Sequence, residues 1–466
     1  MIDLASTIAA VATPPGMGGI AVIRLSGAQA LAIADKLFTS PSGKKLAEQQ
    51  AGTVHFGAIV HGGETIDEAL VAVFRAPASY TGEDTVEISC HGSPYIQQQI
   101  LQALVGCGAH PAQPGEFTLR AFLNGKIDLA QAEAVGDLIA SETRAMHRVA
   151  LQQMRGGYSA EIRALREKLL HFASMLELEL DFADEDVSFA DRQELNNLLQ
   201  DLLHTTAKLT DSFAVGNAIK KGIPVVIVGS PNVGKSTLLN ALLNDEKALV
   251  SDVAGTTRDA IEDSATLGGV LFRFIDTAGI RSGAERVEQL GIERSYQKLG
   301  QAQIVLLVLD ATLAADNLRS VMLHFLPKIT EKQSLVALLN KADSVTDAEL
   351  AEKSACLAQL QPSCRLLAIS AKNGAGISAL ERELLQLAAI PANLDASIVS
   401  NLRHYEAFVG ARHALLRALS GLNSRLSEEL IAFEIREAAQ HLAKVTGEIA
   451  DTDILNNIFK KFCIGK

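Results

Sequence analysis

The central part of this chain contains the segment Gly229-Ser-Pro-Asn-Val-Gly234-Lys235-Ser236, which fits the pattern GxxxxGK[ST]. The segment follows the apolar run IPVVIVG and precedes the helical run STLLNALL, the strand–loop–helix context that a phosphate-binding P-loop requires. Its glycines let backbone N–H groups turn inward onto phosphates at a helix N-terminus. Lys235 can neutralise the β- and γ-phosphates, and the Ser236 hydroxyl suits Mg²⁺. The segment therefore predicts a nucleoside triphosphate site on an α/β domain.

Three further motifs identify the base. DTAG at 276–279 follows the strand-like FRFI, which would bring a carboxylate near the metal. NKAD at 340–343 follows SLVALL, and its aspartate can accept both the ring N–H and the exocyclic amine of guanine, a pair that adenine does not present. SAK at 370–372 follows RLLAI and would close over the base. In this order behind a P-loop, the motifs predict GTP.

The segment between the P-loop and DTAG reads SDVAGTTRD at 251–259. A threonine here can complete the Mg²⁺ coordination when the γ-phosphate is present, so we predict a switch loop. The predicted Mg²⁺ ligands are Ser236 and Thr257. The predicted nucleotide-binding residues are Asn232, Val233, Gly234, Lys235, Ser236, Thr237, Ser251, Asp252, Val253, Ala254, Gly255, Thr256, Thr257, Asp276, Thr277, Ala278, Gly279, Asn340, Lys341, Asp343, Ser370, Ala371 and Lys372.

One position departs from the Ras-type pattern. Ile280 stands directly after DTAG, where a glutamine would orient the attacking water. Because isoleucine can neither donate nor accept a hydrogen bond, another group must position that water. Arg281, Glu285 and Glu288 are nearby candidates, and the residues alone do not distinguish them.

Composition divides the chain into four segments. Residues 1–124 alternate β-branched runs with Gly/Pro turns, which predicts an α+β module with strands at 20–25, 53–60, 69–74 and 85–90 and a helix at 96–108. Residues 125–220 and 389–466 carry apolar residues at helical spacing, with an acidic solvated turn expected at 181–194. Residues 221–388 alternate strands and helices. The simplest topology is a helical domain into which the P-loop domain is inserted.

Bulk properties exclude several classes of protein. No run approaches 18 apolar residues and MIDLASTIAAVATPPG has no basic n-region, so we expect neither a transmembrane helix nor a signal peptide, and a cytoplasmic location. Five cysteines without a CxxC pair speak against a zinc site or a disulfide framework. The net charge of −12 speaks against a general polyanion binder, although a local basic patch could still bind RNA.

Over its full length the chain resembles the MnmE (also called TrmE) family of tRNA-modification GTPases. The segments that carry the resemblance are ATPPGMGGIAVIRLSG at 12–27, SYTGED at 79–84, PGEFTLRAFLNGKIDLAQAEAV at 114–135, GTTRD at 255–259, DTAGIR at 276–281 and FCIGK at 462–466. The resemblance implies an N-terminal folate-binding domain that also dimerises, a helical domain and an inserted G domain. It further implies that Arg24, Glu87, Lys126 and Lys466 contact a tetrahydrofolate one-carbon donor.

The resemblance also implies a potassium-stimulated hydrolytic site. Asn232 would give a side-chain ligand to K⁺, and Thr256 with the backbone carbonyls of Ser251 and Val253 would supply the others. Glu288 matches the glutamate that orients the attacking water, although its residue type alone equally fits a solvated helix face. With Lys235, it is a predicted catalytic residue.

Cys463, near the C-terminus, is the third candidate catalytic residue. A thiol there could carry the one-carbon unit as a nucleophile or could simply be a packed small residue. Cys90-His91 could similarly suggest a catalytic dyad, although packing at a strand end fits those two residues better.

The function implied is GTP-dependent modification of C5 of the wobble uridine of certain tRNAs. The chain would act as a homodimer with a flavoprotein, MnmG in the family, in a heterotetramer or larger assembly and away from membranes. No G-x-G-x-x-G fingerprint occurs here, so flavin is expected on the partner. The alternatives are a ribosome-assembly GTPase switch related to Era and a free-standing folate enzyme with a regulatory G domain.

Overall fold

A computed structural model describes residues 5–181, 191–244, 263–275, 299–331, 333–362, 364–388, 390, 398–424, 426–450, 452–460 and 462–465. The chain divides into two compact units. Unit 1 comprises Met1–Ala140, Ala150–Thr206 and Ala407–Lys466, and unit 2 comprises Ser141–Val149 and Ala207–Glu406. No helix in the described ranges is long and apolar enough to cross a membrane.

Unit 1 begins with a seven-stranded sheet. Its strands are β1 Ile8–Val11, β2 Ile20–Ser26, β3 Phe38–Thr39, β4 Thr53–His61, β5 Glu64–Phe74, β6 Thr85–His91 and β7 His110–Pro111. Their order is β3-β4-β5-β6-β2-β1-β7, with all neighbours antiparallel except β1 and β7. The four predicted strands are confirmed; β1, β3 and β7 are too short for a clear alternation signal.

One face of this sheet is covered by two helices, α1 Ala30–Asp35 and α2 Pro94–Gly106. Strand β2 shows why: Ile23 and Leu25 are buried in the same core as α1 and α2, whereas Val22 and Arg24 alternate onto the other face. The helix predicted at 96–108 is therefore confirmed, starting two residues earlier. The opposite face carries the charged and aromatic groups described below.

Helices complete unit 1. The elements that lie wholly or partly in it are α3 Glu116–Leu123, α4 Leu129–Ile139, α5 Arg144–Met154, α6 Ser159–Asp181, α7 Arg192–Lys221, α12 Leu402–Asn423, α13 Glu428–Thr446 and α14 Thr452–Phe459. Helix α13 packs along α6, and α14 packs on α3. The helical domain predicted on both sides of the P-loop segment is thus present.

The predicted bounds of the solvated turn, 181–194, are wrong at both ends. Asp181 is the last residue of α6, and α7 already begins at Arg192. Asp191 explains the early start, because its carboxylate accepts hydrogen bonds from the backbone N–H groups of Gln193 and Glu194, an N-cap arrangement. Any turn is therefore confined between Asp181 and Arg192.

Unit 2 contains a six-stranded sheet in the order β13-β12-β11-β8-β10-β9, parallel except for β9 beside β10. Its elements are β8 Ile223–Val228, α8 Lys235–Asn244, β9 Asp263–Leu267, β10 Val270–Ile275, β11 Ile304–Asp310, α9 Ala315–Phe325, β12 Ser334–Asn340, α10 Asp347–Leu360, β13 Arg365–Ala368 and α11 Ile377–Ala388. This confirms the predicted α/β class.

Both faces of this second sheet are buried. Helices α8 and α11 share a core with one side of β8 and β11, and α9 and α10 share a core with the other. The near-continuous apolar sequence IVLLVLD of β11 follows from that double burial. Because the parallel strands β8, β11, β12 and β13 end at one edge, their following loops converge there, as ligand sites of open α/β sheets require.

Candidate functional site

The predicted P-loop joins β8 to α8 in an unusual backbone conformation. Asn232 has φ 59° and Gly234 has φ 98°, both in the left-handed region. A Cβ on Gly234 would lie 2.4 Å from Asn340 Nδ2, so no larger residue fits there without movement. The loop then enters α8 at Lys235, so Ser236 and Thr237 lie in the first helical turn.

The side chain of Lys235 folds over its own loop. Its Nζ donates to the backbone carbonyls of Gly229 and Ser230 at 2.9 and 2.7 Å. Burial lowers the pKa of Lys235. An ammonium held against the loop is positioned to meet phosphate oxygens that the loop would surround.

Asn340 connects the P-loop to the SAK segment. Its Nδ2 donates to the carbonyl of Val233 at 2.7 Å, and its Oδ1 accepts from the backbone N–H of Ala371 at 3.0 Å. The side chain is buried, so both groups of the amide are satisfied within the protein. The structure therefore brings together three motifs that are more than one hundred residues apart at their extremes.

Lys341 and Asp343 lie on the loop after β12. Lys341 has φ 64°, and its Nζ is 2.6 Å from Asp310 Oδ2. Asp343 is exposed, and hydrogen bonds from Ser370 and Ser344 lower the pKa of its carboxyl. It is therefore ionised at neutral pH, as an acceptor for two base N–H groups must be. Asp310 was not predicted, although its position at the end of a buried parallel strand is a usable signal.

A cleft of about 350 Å³ lies between α8 and the segment after β13. Its lining residues are Thr237, Asn240, Ala241, Ala371, Lys372, Gly374 and Ile377. Three predicted nucleotide-binding residues, Thr237, Ala371 and Lys372, thus line a single cleft. Ser370 is buried immediately beside it.

Several predicted residues lie outside the described ranges. They are Ser251, Asp252, Val253, Ala254, Gly255, Thr256, Thr257, Asp276, Thr277, Ala278, Gly279, Glu288 and Lys466. Ile280, Arg281 and Glu285 fall in the same category. Their assignments stay predictions from the sequence.

The predicted folate residues Arg24 and Glu87 form an ion pair in unit 1. They are directly opposite on β2 and β6, and Arg24 Nε donates to Glu87 Oε1 at 2.8 Å. Their side chains are 15% and 27% exposed, so a ligand could reach both. The Arg24 guanidinium also lies 5.4 Å from the ring centre of Tyr80 and 5.6 Å from that of Phe117.

The C-terminal segment approaches the same pair. Arg24 Nη1 is 3.4 Å from the carbonyl of Gly465, and a Cβ on Gly465 would clash with the Val11 carbonyl at 2.5 Å. The carbonyl of Cys463 accepts from the Gly115 N–H at 3.5 Å, while the Cys463 side chain is exposed. The segment is thus held in place with its thiol open to solvent, which does not fit a packed core residue.

Lys126 flanks this site from the loop after α3. It is exposed, and its Nζ donates to the carbonyl of Pro77 at 2.8 Å. Its Cγ would lie 3.2 Å from a Cβ on Gly82, so Lys126 packs on the 77–84 loop that carries Tyr80. Lys126 is thus connected to the Arg24–Glu87 pair through this loop, since Tyr80 lies 5.4 Å from the Arg24 guanidinium.

Cys90 and His91 do not form a dyad. Burial raises the pKa of the Cys90 thiol to about 11, so little thiolate exists at neutral pH. His91 is exposed, and its Nδ1 lies 2.8 Å from Asp67 Oδ1. The packing interpretation is supported for Cys90, whereas His91 is exposed and contacts Asp67.

A buried charge network around Arg120 in unit 1 was not predicted. Arg120 is 1% exposed; it donates to Glu116 at 2.9 Å, to Glu83 at 3.2 Å and to the Ser6 carbonyl at 2.8 Å. Glu83 also accepts from the Ser26 hydroxyl at 2.6 Å. The network fixes the 79–84 loop to α3, and sequence patterns give no signal for it because a charged residue in a helix is normally exposed.

Two family models match the chain. The model described as "MnmE helical domain" matches residues 129–463, and "GTP-binding protein TrmE N-terminus" matches residues 7–126. The first of these covers well over half of the chain.

Curated relatives match it from end to end. A tRNA modification GTPase MnmE of Christiangramia forsetii is 51% identical over 100% of both chains, and one of Flavobacterium johnsoniae is 52% identical over 99% of both. Among solved structures, a crystal structure of Era with MgGDPNP and part of 16S ribosomal RNA is 27% identical, covering 41% of this chain and 66% of that chain with a TM-score of 0.29. That structural likeness is too limited to support an argument.

Proposed function

The chain belongs to the MnmE family of tRNA modification GTPases, and we propose that it couples potassium-stimulated GTP hydrolysis to a folate-dependent step of wobble-uridine modification. The family membership rests on relatives that are about half identical over the whole chain. The finer proposal rests on one observation: two separate sites, one with nucleotide motifs at a sheet edge and one around Arg24, lie in different units of the chain.

The nucleotide site is proposed to hold GTP with Mg²⁺. The residues present fit this ligand. The P-loop, whose backbone is left-handed at Asn232 and Gly234, leads into the N-terminus of α8, where backbone N–H groups favour anions. Ser236 would hold Mg²⁺ with Thr257, and Asp276 would lie nearby. When bound, Mg²⁺ supplies charge neutralisation between the β- and γ-phosphates. Lys235 adds a second cation, and Asp343 with the SAK segment selects guanine.

Potassium is proposed to replace an arginine finger. The Asn232 side chain is exposed at a left-handed position of the P-loop, so its amide oxygen is free to point away from the loop backbone. An amide oxygen and backbone carbonyls are the ligands that K⁺ takes in proteins. Thr256 and the carbonyls of Ser251 and Val253 would complete the set, and Glu288 would orient the attacking water.

GTP hydrolysis should be much faster in KCl than in NaCl at equal ionic strength. Asn232→Ala should lose most of that difference and keep most of its affinity for GDP, because the proposed cation ligand is removed, although alanine is also less suited than asparagine to the left-handed backbone at this position. The measurement is phosphate release in both salts, with GDP titration on the same preparations. Asn317→Ala, an exposed asparagine at the start of α9, is the matched control. Equal rates in the two salts for the unaltered chain would reject the potassium proposal.

The site around Arg24 is proposed to hold a tetrahydrofolate derivative. Arg24 and Glu87 are only 2.8 Å apart, so they would contact the same end of the ligand, with Glu87 as acceptor for the pterin ring and Arg24 as its neighbouring donor. Lys126 and Lys466 would supply cations for the glutamate tail. Tyr80 and Phe117, which flank the guanidinium, offer apolar ring faces. The folate supplies a one-carbon unit when bound, and Cys463 is the exposed thiol next to this site.

Arg24→Ala should weaken tetrahydrofolate binding by about 1.5–3 kcal/mol, since a charged hydrogen bond to the ligand is lost and Glu87 loses its counter-ion. Potassium-dependent GTP hydrolysis should be unchanged because Arg24 lies outside unit 2. Folate titration and phosphate release test both statements. Arg75→Ala removes a part-exposed arginine of the same unit and should affect neither. Normal folate binding by Arg24→Ala would refute its assignment.

We further propose a homodimer formed through the open face of the first sheet. Val54, Phe56 and Leu70 are 61%, 54% and 49% exposed on β4 and β5, with Phe56 directly opposite Leu70. Contiguous apolar residues exposed on a sheet face commonly mark a protein–protein interaction site. A second copy is the proposed occupant. We also propose that the chain acts on tRNA together with an MnmG-type flavoprotein, and that it does so in the cytoplasm.

Nucleoside analysis of tRNA tests the function as a whole. A strain lacking this protein should lose its C5-modified wobble uridine, and the unaltered chain should restore it whereas Arg24→Ala should not. If tRNA is unaffected but ribosomal subunits accumulate unassembled, the ribosome-assembly alternative is correct. If the purified chain modifies tRNA without a flavoprotein, the free-standing folate enzyme is correct.

A further inference from the structure

We propose that Asp310 is a positioning residue for guanine recognition and that it acts through Lys341. The inference rests on the proposed function of residues 340–343 as the guanine-binding segment. Neither the P-loop nor the base motifs include Asp310, which is the last residue of β11. Its carboxylate nevertheless contacts a residue at the centre of that segment.

The sheet register brings the two side chains together. Asp310 is the direct neighbour of Asn340 in the parallel pair β11 and β12, so Lys341 is the first residue beyond the shared sheet edge. Asp310 Oδ2 lies 2.6 Å from Lys341 Nζ. The other oxygen, Oδ1, accepts from the backbone N–H of Thr312 at 3.0 Å and from its hydroxyl at 2.7 Å. Thr312 therefore holds the Asp310 carboxylate in place independently of its contact with Lys341.

The charges support a stable ion pair. The Asp310 side chain is 12% exposed and that of Lys341 is 40% exposed. Burial acts to raise the pKa of Asp310, but hydrogen bonds from Lys341 and Thr312 outweigh it and the pKa is lowered. The lysine is thus anchored at its ammonium end by a carboxylate that stays ionised, and at its other end by a backbone with φ 64°.

Anchoring both ends of Lys341 fixes the methylene stem between them. A free lysine side chain would lose rotamer entropy whenever a ligand fixed it, which would weaken each binding event. Because Asp310 holds Lys341 before a nucleotide binds, the stem already forms an apolar surface. This surface is two residues from Asp343, the proposed acceptor for the edge of the base. Asp343 would read the edge of guanine, and the stem of Lys341 would support its face. Asp310 sets the position of that support.

The test is GDP affinity in the full-length protein, measured with N-methylanthraniloyl-GDP by titration and by displacement. Asp310→Asn should weaken binding about tenfold, mainly through faster dissociation, since coupled residues in one network typically differ by this amount. Asp310→Glu, which can still reach an ammonium, should recover part of the affinity. Asp316→Asn, an exposed carboxylate on α9, is the matched control and should bind normally.

Measuring Asp310→Asn in a Lys341→Met background distinguishes a role of Asp310 in positioning Lys341 from a role in stabilising the fold. Methionine keeps an apolar stem but has no ammonium, so Asp310→Asn should have no further effect there. If Asp310→Asn weakens binding equally in both backgrounds, Asp310 supports the fold and the proposal is wrong. Unchanged affinity of the single variant also rejects it.

Asp343→Asn, measured in parallel, distinguishes a failure of the Asp310 proposal from a failure of the guanine-binding assignment. If that variant loses GDP while Asp310→Asn binds normally, the guanine segment stands and only the role of Asp310 is rejected. If Asp343→Asn binds GDP normally, the guanine assignment itself fails, and the positioning role of Asp310 fails with it.

Discussion

Asp343→Asn should change the preference of the chain from GTP to xanthosine triphosphate. The carboxylate of Asp343 is exposed and ionised, and the neighbouring Ser370 and Ser344 orient it. It can accept two hydrogen bonds from the guanine edge, and asparagine can accept only one. Xanthine carries a carbonyl where guanine carries the amine, so an amide can donate to it.

The expected size of this change is about 10⁴-fold in the ratio of GTP to xanthosine triphosphate affinity. Sites built around a polar group reject the analogue that leaves that group unpaired by about this factor. Titration of the unaltered chain and the variant with both nucleotides measures the ratio directly. Phosphate release with each triphosphate then shows whether the rescued nucleotide is also hydrolysed.

Asp347→Asn is the matched control for the base switch. Asp347 is an exposed carboxylate in the first turn of α10, four residues farther along the chain. It should leave the nucleotide preference unchanged. Weaker GTP binding by Asp343→Asn without a gain for xanthosine triphosphate would mean that Asp343 supports the loop and does not contact the base.

The strands and loops that carry the predicted nucleotide motifs were the part of the fold most fully predictable from the sequence. Its loops are short, each follows a buried strand, and the parallel topology brings their ends together. A local motif such as 229–236 therefore carries its own structural context. The predicted strands of the first sheet were equally readable, because one face is buried and alternation is clean.

Pairings between distant residues were not predictable. Arg24 and Glu87 are 63 residues apart, so their residue types predict two charged strand positions but not that the two face each other. Asp310 and Lys341 depend on strand register in the same way. The predicted turn at 181–194 is too long, because acidic composition does not distinguish a solvated turn from a helix start, and Asp191 uses its carboxylate to start a helix.

Arg120→Met should destabilise unit 1 by about 3–5 kcal/mol. Arg120 is 1% exposed and Glu116 is 4% exposed, so removing the guanidinium leaves a buried carboxylate without its counter-ion. Methionine keeps most of the apolar stem, which limits the loss of packing. Glu83 would also lose a partner, loosening the 79–84 loop that carries Tyr80.

Differential scanning calorimetry and circular dichroism are the suitable measurements, because the chain contains no tryptophan. GDP should raise the melting temperature of the unit that binds it, so the transition that GDP leaves unchanged reports on unit 1. For a unit of this size, the expected loss lowers that melting temperature on the order of 10 °C. Arg163→Met is the control: Arg163 is 47% exposed and pairs with Asp128 at 3.5 Å and Glu448 at 3.8 Å. Asp128 would keep its hydrogen bond from the Gln131 N–H, so the loss should be under about 1 kcal/mol.

A second substitution distinguishes lost charge pairing from lost volume. If the cost of Arg120→Met comes from the stranded Glu116 carboxylate, Glu116→Gln in the same chain should recover part of the stability, because the neutral amide is cheaper to bury. Glu116→Gln alone should be destabilising, since it weakens the contact with Arg120. If the double variant is no more stable than Arg120→Met, or if Arg120→Met shifts the transition no further than Arg163→Met, the buried network does not hold this loop.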